Sequence, residues 1–180
     1  MKNLIKKNYG KATILVLLLA VIAIIIKIIV LKYQPNFVII PNGLRIITAE
    51  NMGNTWGMGE SNLLNVIISN VIVLGIILKF IQFQKDRIDT KTLISLSFIL
   101  AGGMSNLFER LVCGTVTDYI QFFPQYNFPV FNLADIYILC GWVMFAAILA
   151  YITGRKRTRK ERRQELLAEI NEKMEQDKKE

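Results

Sequence analysis

Apolar residues fall into four long runs separated by polar stretches, at about 12–31, 62–81, 92–112 and 133–153. Each is about 20 residues long, the helix length that crosses ~30 Å of hydrocarbon, so the pattern predicts four membrane-spanning helices. No small-x-small cleavage site follows the first run, which is also too long for a signal-peptide core; it reads as an uncleaved span. Between the first two runs the period changes. Val38-Ile39-Ile40 and Leu44-Arg45-Ile46-Ile47-Thr48 flank Pro41-Asn42-Gly43, and an Asn-Gly between β-branched runs predicts a hairpin. Pro41 puts the first strand at an edge or ends it early. The loop after the third run, Tyr119 to Asn132, carries Phe122, Phe123, Tyr126, Phe128 and Phe131, a density of aromatics that suits the headgroup region. No internal repeat of solenoid period is present. The expected fold is an all-α membrane bundle of four transmembrane helices, with a small extracytoplasmic β-hairpin or sheet and an interfacial loop. Residues 1–153 form the membrane domain and 154–180 a charged cytoplasmic tail. In the tail, Leu166, Leu167, Ile170 and Met174 recur at helical spacing. It reads as a solvated helix touching anionic lipid heads, with a partner-binding helix as the alternative.

Composition supports the same class. Of 180 residues, 53% are hydrophobic, and the mean hydropathy is +0.39, too apolar for an ordinary soluble domain. The formal charge is +8, but the cations sit in blocks between the apolar runs, which points to topology and away from nucleic acid. Lys2, Lys6, Lys7 and Lys11 precede the first span. Lys79, Lys85, Arg87 and Lys91 surround the loop between the second and third, and ten more lie from Arg155 to Lys179. These are 18 of the 22 basic residues, and all fall on one side, so both termini are expected in the cytoplasm. There is no histidine. That excludes Ser-His and Cys-His catalysis and zinc sites of the HExxH type. Cys113 and Cys140 have neither metal nor disulfide spacing, and Cys140 reads as lipid- or helix-facing filler.

Polar groups in or beside spans are costly unless paired, so they are functional candidates. Outside the tail the acids are Glu50, Glu60, Asp86, Asp89, Glu109, Asp118 and Asp135. Asp86 and Asp89 lie among cytoplasmic cations and read as solvated; the other five map to the outer side. Asp118 follows the outer end of the third span and Asp135 opens the fourth, so two carboxylates can meet at the lipid–water boundary. Two close carboxyls cannot both ionise easily. The ionised one can take a proton from water, while the protonated one stabilises the oxyanion that follows. The competing structural reading makes Asp135 a helix N-cap or first-turn acid. Gly102, Gly103, Asn106, Glu109 and Arg110 share a face of the third span. The glycines permit close helix approach, and Asn106 and Arg110 bring donors toward the carboxylates. The plainer reading is a packing stripe with a structural Glu109–Arg110 pair.

These residues resemble a known family. Gly102-Gly103-Met-Ser-Asn106-Leu-Phe-Glu109-Arg110 resembles the GGxxxNLxDR block of lipoprotein signal peptidases (signal peptidase II). Gly114-Thr-Val-Thr-Asp118-Tyr119-Ile120 resembles their GxVxDFI block, and Phe128-Pro-Val-Phe131-Asn132-Leu-Ala134-Asp135 their FPxFNxAD block. Asn51-Met-Gly53-Asn54-Thr55-Trp56-Gly57 resembles their NxGAAFG block. The blocks occur in the family's order over about residues 12–153. The resemblance implies that Asp118 and Asp135 are the catalytic pair and that Asn51, Gly53, Asn106, Arg110 and Asn132 line or support the substrate site. It implies cleavage of diacylglyceryl-modified prolipoproteins before the lipidated cysteine, and no metal or organic cofactor. The implied setting is a monomer in the lipids of a bacterial cytoplasmic (inner) membrane, with its site near the outer face and no nucleic-acid partner.

Four departures from the pattern stand out. Glu109 replaces an aspartate. Ala23 stands where the family carries an acid four residues before Lys27. Asn54-Thr55 replace two alanines, and Tyr119 replaces phenylalanine. They leave room for a divergent paralogue that binds lipidated peptides without cutting them. A small transporter subunit is a weaker alternative, since Lys27 is the only strong charge near the middle of a span.

Overall fold

The computed structural model describes residues 2–53, 63–85, 87–126 and 128–177. Asp86, Glu60 and the Asn54-Thr55-Trp56-Gly57 stretch lie outside the described residues. Among the described residues, four helices are long and apolar enough to cross a membrane: α1 (Lys2–Tyr33), α2 (Leu63–Phe83), α3 (Thr90–Cys113) and α4 (Leu133–Asp177). They are joined by β1 (Phe37–Ile40), β2 (Leu44–Asn51), β3 (Val116–Phe122) and β4 (Val130–Phe131).

α3 is the hub. In it 72% of the apolar window is buried, against 22, 11 and 6% in α1, α2 and α4, whose outer faces are left for lipid. Small residues make this possible. A Cβ on Gly102 would run into the Ala134 carbonyl of α4, and one on Gly103 would lie 2.8 Å from Leu74 Cδ2 of α2. A Cβ on Gly141 of α4 would lie 2.6 Å from Ile99 Cγ1 and 2.7 Å from the Ser95 carbonyl oxygen, so the α3–α4 seam has a small residue on each helix. Gly102→Val is therefore expected to force α4 off α3 and destabilise the protein by about 1–3 kcal/mol. A thermal midpoint in detergent, set beside that of Gly75→Val, where a Cβ meets nothing within 4 Å, checks this.

The ends of α3 are closed locally. Asp89 is its N-cap and accepts from Thr92 N (2.9 Å) and Thr92 Oγ1 (2.7 Å), so it does more than sit solvated among cations. Gly114 at φ 78° ends the helix, its N–H donating to Arg110 O. The chain turns there directly into β3.

The four strands form one antiparallel sheet in the order β1-β2-β3-β4. Pro41 lies beside edge strand β1, as its missing N–H requires, and Asn42 takes a left-handed φ of 58° in the turn. The hairpin is half of the sheet. The other half comes from the stretch expected as an interfacial loop, where Val116–Phe122 and Val130–Phe131 pair with the hairpin and with each other. Asp118 thus sits on an inner strand opposite Ala49, with Asn51 opposite Val116. Beyond the span, α4 runs without a break through Asp177.

Candidate active site

Asp118 is almost fully buried, at 3% exposure. Both its oxygens are held: Asn51 Nδ2 donates to Oδ2 (2.8 Å) and Asn132 Nδ2 to Oδ1 (2.6 Å). β2 supplies the first donor because Asn51 lies two residues beyond Asp118's partner Ala49, on the same face of the sheet. Asn51 Oδ1 in turn accepts from Gly53 N (2.7 Å), and Gly53 sits at φ 98°, a conformation that favours glycine.

Asp135 is fixed by helix chemistry. Asn132 is the N-cap of α4, its Oδ1 accepting from Ala134 N (2.8 Å) and Asp135 N (3.2 Å). Asp135 Oδ2 reaches back to accept from Asn132 N (3.0 Å), which completes a reciprocal capping box. Ile136 N donates to Asn132 O, and Leu133 N to the Tyr119 hydroxyl. Every orphan donor of that first turn is satisfied. The hydroxyl by which Tyr119 departs from phenylalanine therefore serves a backbone donor. Asp135 is a first-turn acid, and it lines the same cavity as Asp118. Asn132 joins the pair, donating from its side chain to Asp118 and from its backbone to Asp135.

Asn106 of α3 completes the hold on Asp135, with Nδ2 donating to Oδ1 (2.8 Å). Its orientation is set from behind, where Lys27 Nζ donates to Asn106 Oδ1 (2.6 Å). Lys27, 2% exposed and six residues before the end of α1 at Tyr33, also forms an ion pair with Glu109 at 2.7 Å. Glu109 Oε1 then accepts from Thr117 N (3.0 Å) and Thr117 Oγ1 (2.6 Å), next to Asp118. The Glu109–Arg110 pair expected from sequence does not form, because consecutive helical residues point about 100° apart. Glu109's partner is Lys27. The absent acid at Ala23, itself fully buried, is answered from another helix. Arg110 instead lines the cavity, its Nε buried without a hydrogen-bond partner among the described residues.

The cavity holds about 370 Å³, open on one side, between α2, α3, α4 and the sheet. Asn51, Gly53, Asn106, Arg110, Asp118 and Asp135 all line it. Asn132 lies behind the pair, fully buried. Six of the seven sequence-predicted site residues therefore share one cavity, and the seventh braces it. Asn70 of α2 also lines it. Sequence reasoning passed over this residue, although a polar side chain inside an apolar span is itself a signal.

Burial pushes the Asp118 carboxyl up from its ordinary value of 3.8 to about 6. The Asn51 amide opposes the rise, the Asp135 charge adds to it, and Asn132 and Lys27 oppose it further. A proton held to that pH beside a second carboxylate is what acid–base hydrolysis needs.

A family profile described as Signal peptidase (SPase) II matches residues 15–151. Lipoprotein signal peptidases of Staphylococcus aureus, strains JH9 and Newman among them, are 29% identical over 129 residues, which cover 71% of this chain and 78% of theirs. A solved bacterial membrane enzyme structure, obtained by the in meso method at 2.3 Å resolution, superposes with a TM-score of 0.70 at 24% identity, covering 82% of this chain and 92% of that one. A second, at 1.9 Å, gives 0.67 at 22% identity, with 78% and 92% covered.

Proposed function

The chain belongs to the signal peptidase II family, and from that membership we propose that Asp118 and Asp135 are the catalytic pair with which it works. It is a multi-span membrane aspartic peptidase that removes signal peptides from prolipoproteins. The proposed bond lies just before a cysteine that already carries diacylglycerol. The observation that carries the assignment is Asn132 donating to both carboxyls at one cavity.

The chemistry follows from one shared proton. The ionised carboxylate takes a proton from water, and the hydroxide formed adds to the scissile carbonyl. The protonated carboxyl hydrogen-bonds the developing oxyanion and then passes a proton to the departing amine of the cysteine. The C–N bond breaks, leaving a carboxylate on the signal peptide and a free amine on the lipidated product. The pair titrates as a unit. Asn51, Asn106 and Asn132 hold the two carboxyls in place, Gly53 lets backbone approach the substrate, and Arg110 offers donors to substrate carbonyls. Acyl chains hold such a substrate at the interface, and tethering to the bilayer raises its effective concentration.

The distribution of cations supports a bacterial cytoplasmic membrane location with both termini inside and the sheet and cavity at the outer face. The cations from Arg155 to Arg163 lie where they can meet anionic headgroups.

The test is hydrolysis of a synthetic diacylated precursor in lipid nanodiscs, with the cut located by mass spectrometry. One cut before the lipidated cysteine is expected, and none in the unlipidated peptide; equal cleavage of both would refute the substrate assignment. The sign of the pH dependence is fixed. The Asp118 carboxyl is protonated below about 6 and loses its proton above. The alkaline limb of kcat/KM, which reports the free enzyme, is expected near pH 6. That of kcat should lie higher, because bound substrate desolvates Asp118 further.

A further inference from the structure

Asn70 lies seven residues into α2 from Leu63, and Asn106 lies seven residues before the end of α3 at Cys113. At 1.5 Å per residue both are about 10 Å below the outer helix ends. The cavity thus reaches well below the two helix ends, and α2 gives it two lining residues, Val66 and Asn70. Only Asn70 carries a polar side chain. Its Nδ2 is engaged, donating to Val66 O at 2.8 Å. This fixes the amide so that Oδ1 is the free atom, with no hydrogen-bond partner among the described residues.

An unpaired acceptor at that depth selects for a donor. The glyceryl esters of a lipidated substrate carry acceptors only, whereas a peptide backbone carries N–H groups. For a carbonyl to be attacked, the signal peptide must leave its helical conformation around the scissile bond. Unwinding orphans backbone N–H groups where water does not replace their bonds, and each such group is costly in hydrocarbon. We infer that Asn70 is a specificity-determining residue whose Oδ1 accepts a backbone N–H of the unwound signal peptide on the membrane side of the scissile bond. The inference rests on the cavity being the substrate site.

Asn70→Leu keeps the size of the side chain and removes the acceptor, and Asn70→Ala serves if the leucine crowds Val66. Loss of one neutral hydrogen bond corresponds to about a 3- to 10-fold rise in KM, with kcat within about twofold. Asn70→Gln should recover part of the loss. A series of synthetic diacylated precursors, each with one backbone amide upstream of the cleavage site replaced by an ester, separates this from a packing defect. In wild type one ester position should raise KM by a similar factor. In Asn70→Leu that same ester should add nothing further. Unchanged KM in both Asn70 variants would overturn the inference, as would ester penalties equal in variant and wild type. A precursor left uncut by wild type, or still cut by Asp135→Asn, would instead indict the catalytic assignment itself.

Discussion

Replacing Asp118 or Asp135 singly with Asn is expected to slow precursor cleavage by roughly 10³-fold or more, since each variant loses a proton-transfer group and its partner's electrostatic complement. The folding consequences are smaller. In Asp118→Asn the new side-chain carbonyl could still accept from one of its two amide neighbours, Asn51 or Asn132, while the new NH2 would meet the other. At Asp135 the capping box loses part of its return bond to Asn132 N, an effect on the order of 1 kcal/mol. Both variants should therefore insert and melt as folded proteins while failing to cut. Because the two carboxyls act as one unit, the double variant should be about as slow as either single one. Asp89→Asn is the control: Asn caps helices as well as Asp does, and Asp89 stands at the other end of α3, so its cleavage rate should match wild type.

The second large effect concerns stability and activity together. Lys27→Met leaves the Glu109 carboxylate buried without its ion-pair partner, which destabilises by about 3–5 kcal/mol. It also frees the Asn106 amide that holds Asp135. Adding Glu109→Gln removes the unpaired charge and keeps an acceptor for Thr117 N and Oγ1. The double variant should recover much of the thermal midpoint but little of the activity, because Asn106 remains unoriented. If activity returned in step with stability, Lys27 would be merely structural. The Arg157–Glu161 pair on the exposed tail, at 82% and 53% exposure, offers the contrast. Its removal should change stability by less than about 1 kcal/mol.

What the chain's pattern makes legible follows from range. Span length is a local property, so the four helices can be read directly. The hairpin turn is local too, through Asn42 and Gly43. β3 and the short β4 were missed, and β3 shows why. Val116, Thr117, Tyr119, Ile120 and Phe122 are good strand formers, but a short aromatic stretch beside a membrane reads equally well as an interfacial anchor. Only its pairing with β2, some 70 residues earlier, decides the matter. Lys27 and Glu109 are separated by 82 positions, so no helical spacing could pair them. The sequence offered only the symptoms, an acid missing at Ala23 and a longer acid at Glu109. Convergence of the two aspartates was legible because the loop leaves and returns on one face. The hinge of that convergence, Asn132 acting as helix cap and as donor to both, arises only where the folded chain brings β3 against the start of α4.

The Asp118 and Asp135 carboxyls are expected to feel one another in a single site. Infrared titration of the Asp118 carboxyl, in the otherwise native protein and in Asp135→Asn, measures this directly. The midpoint should lie at about 6 in the first and fall in the second, because the neighbouring negative charge that helps hold the proton has gone. An identical midpoint in both proteins would contradict the pair.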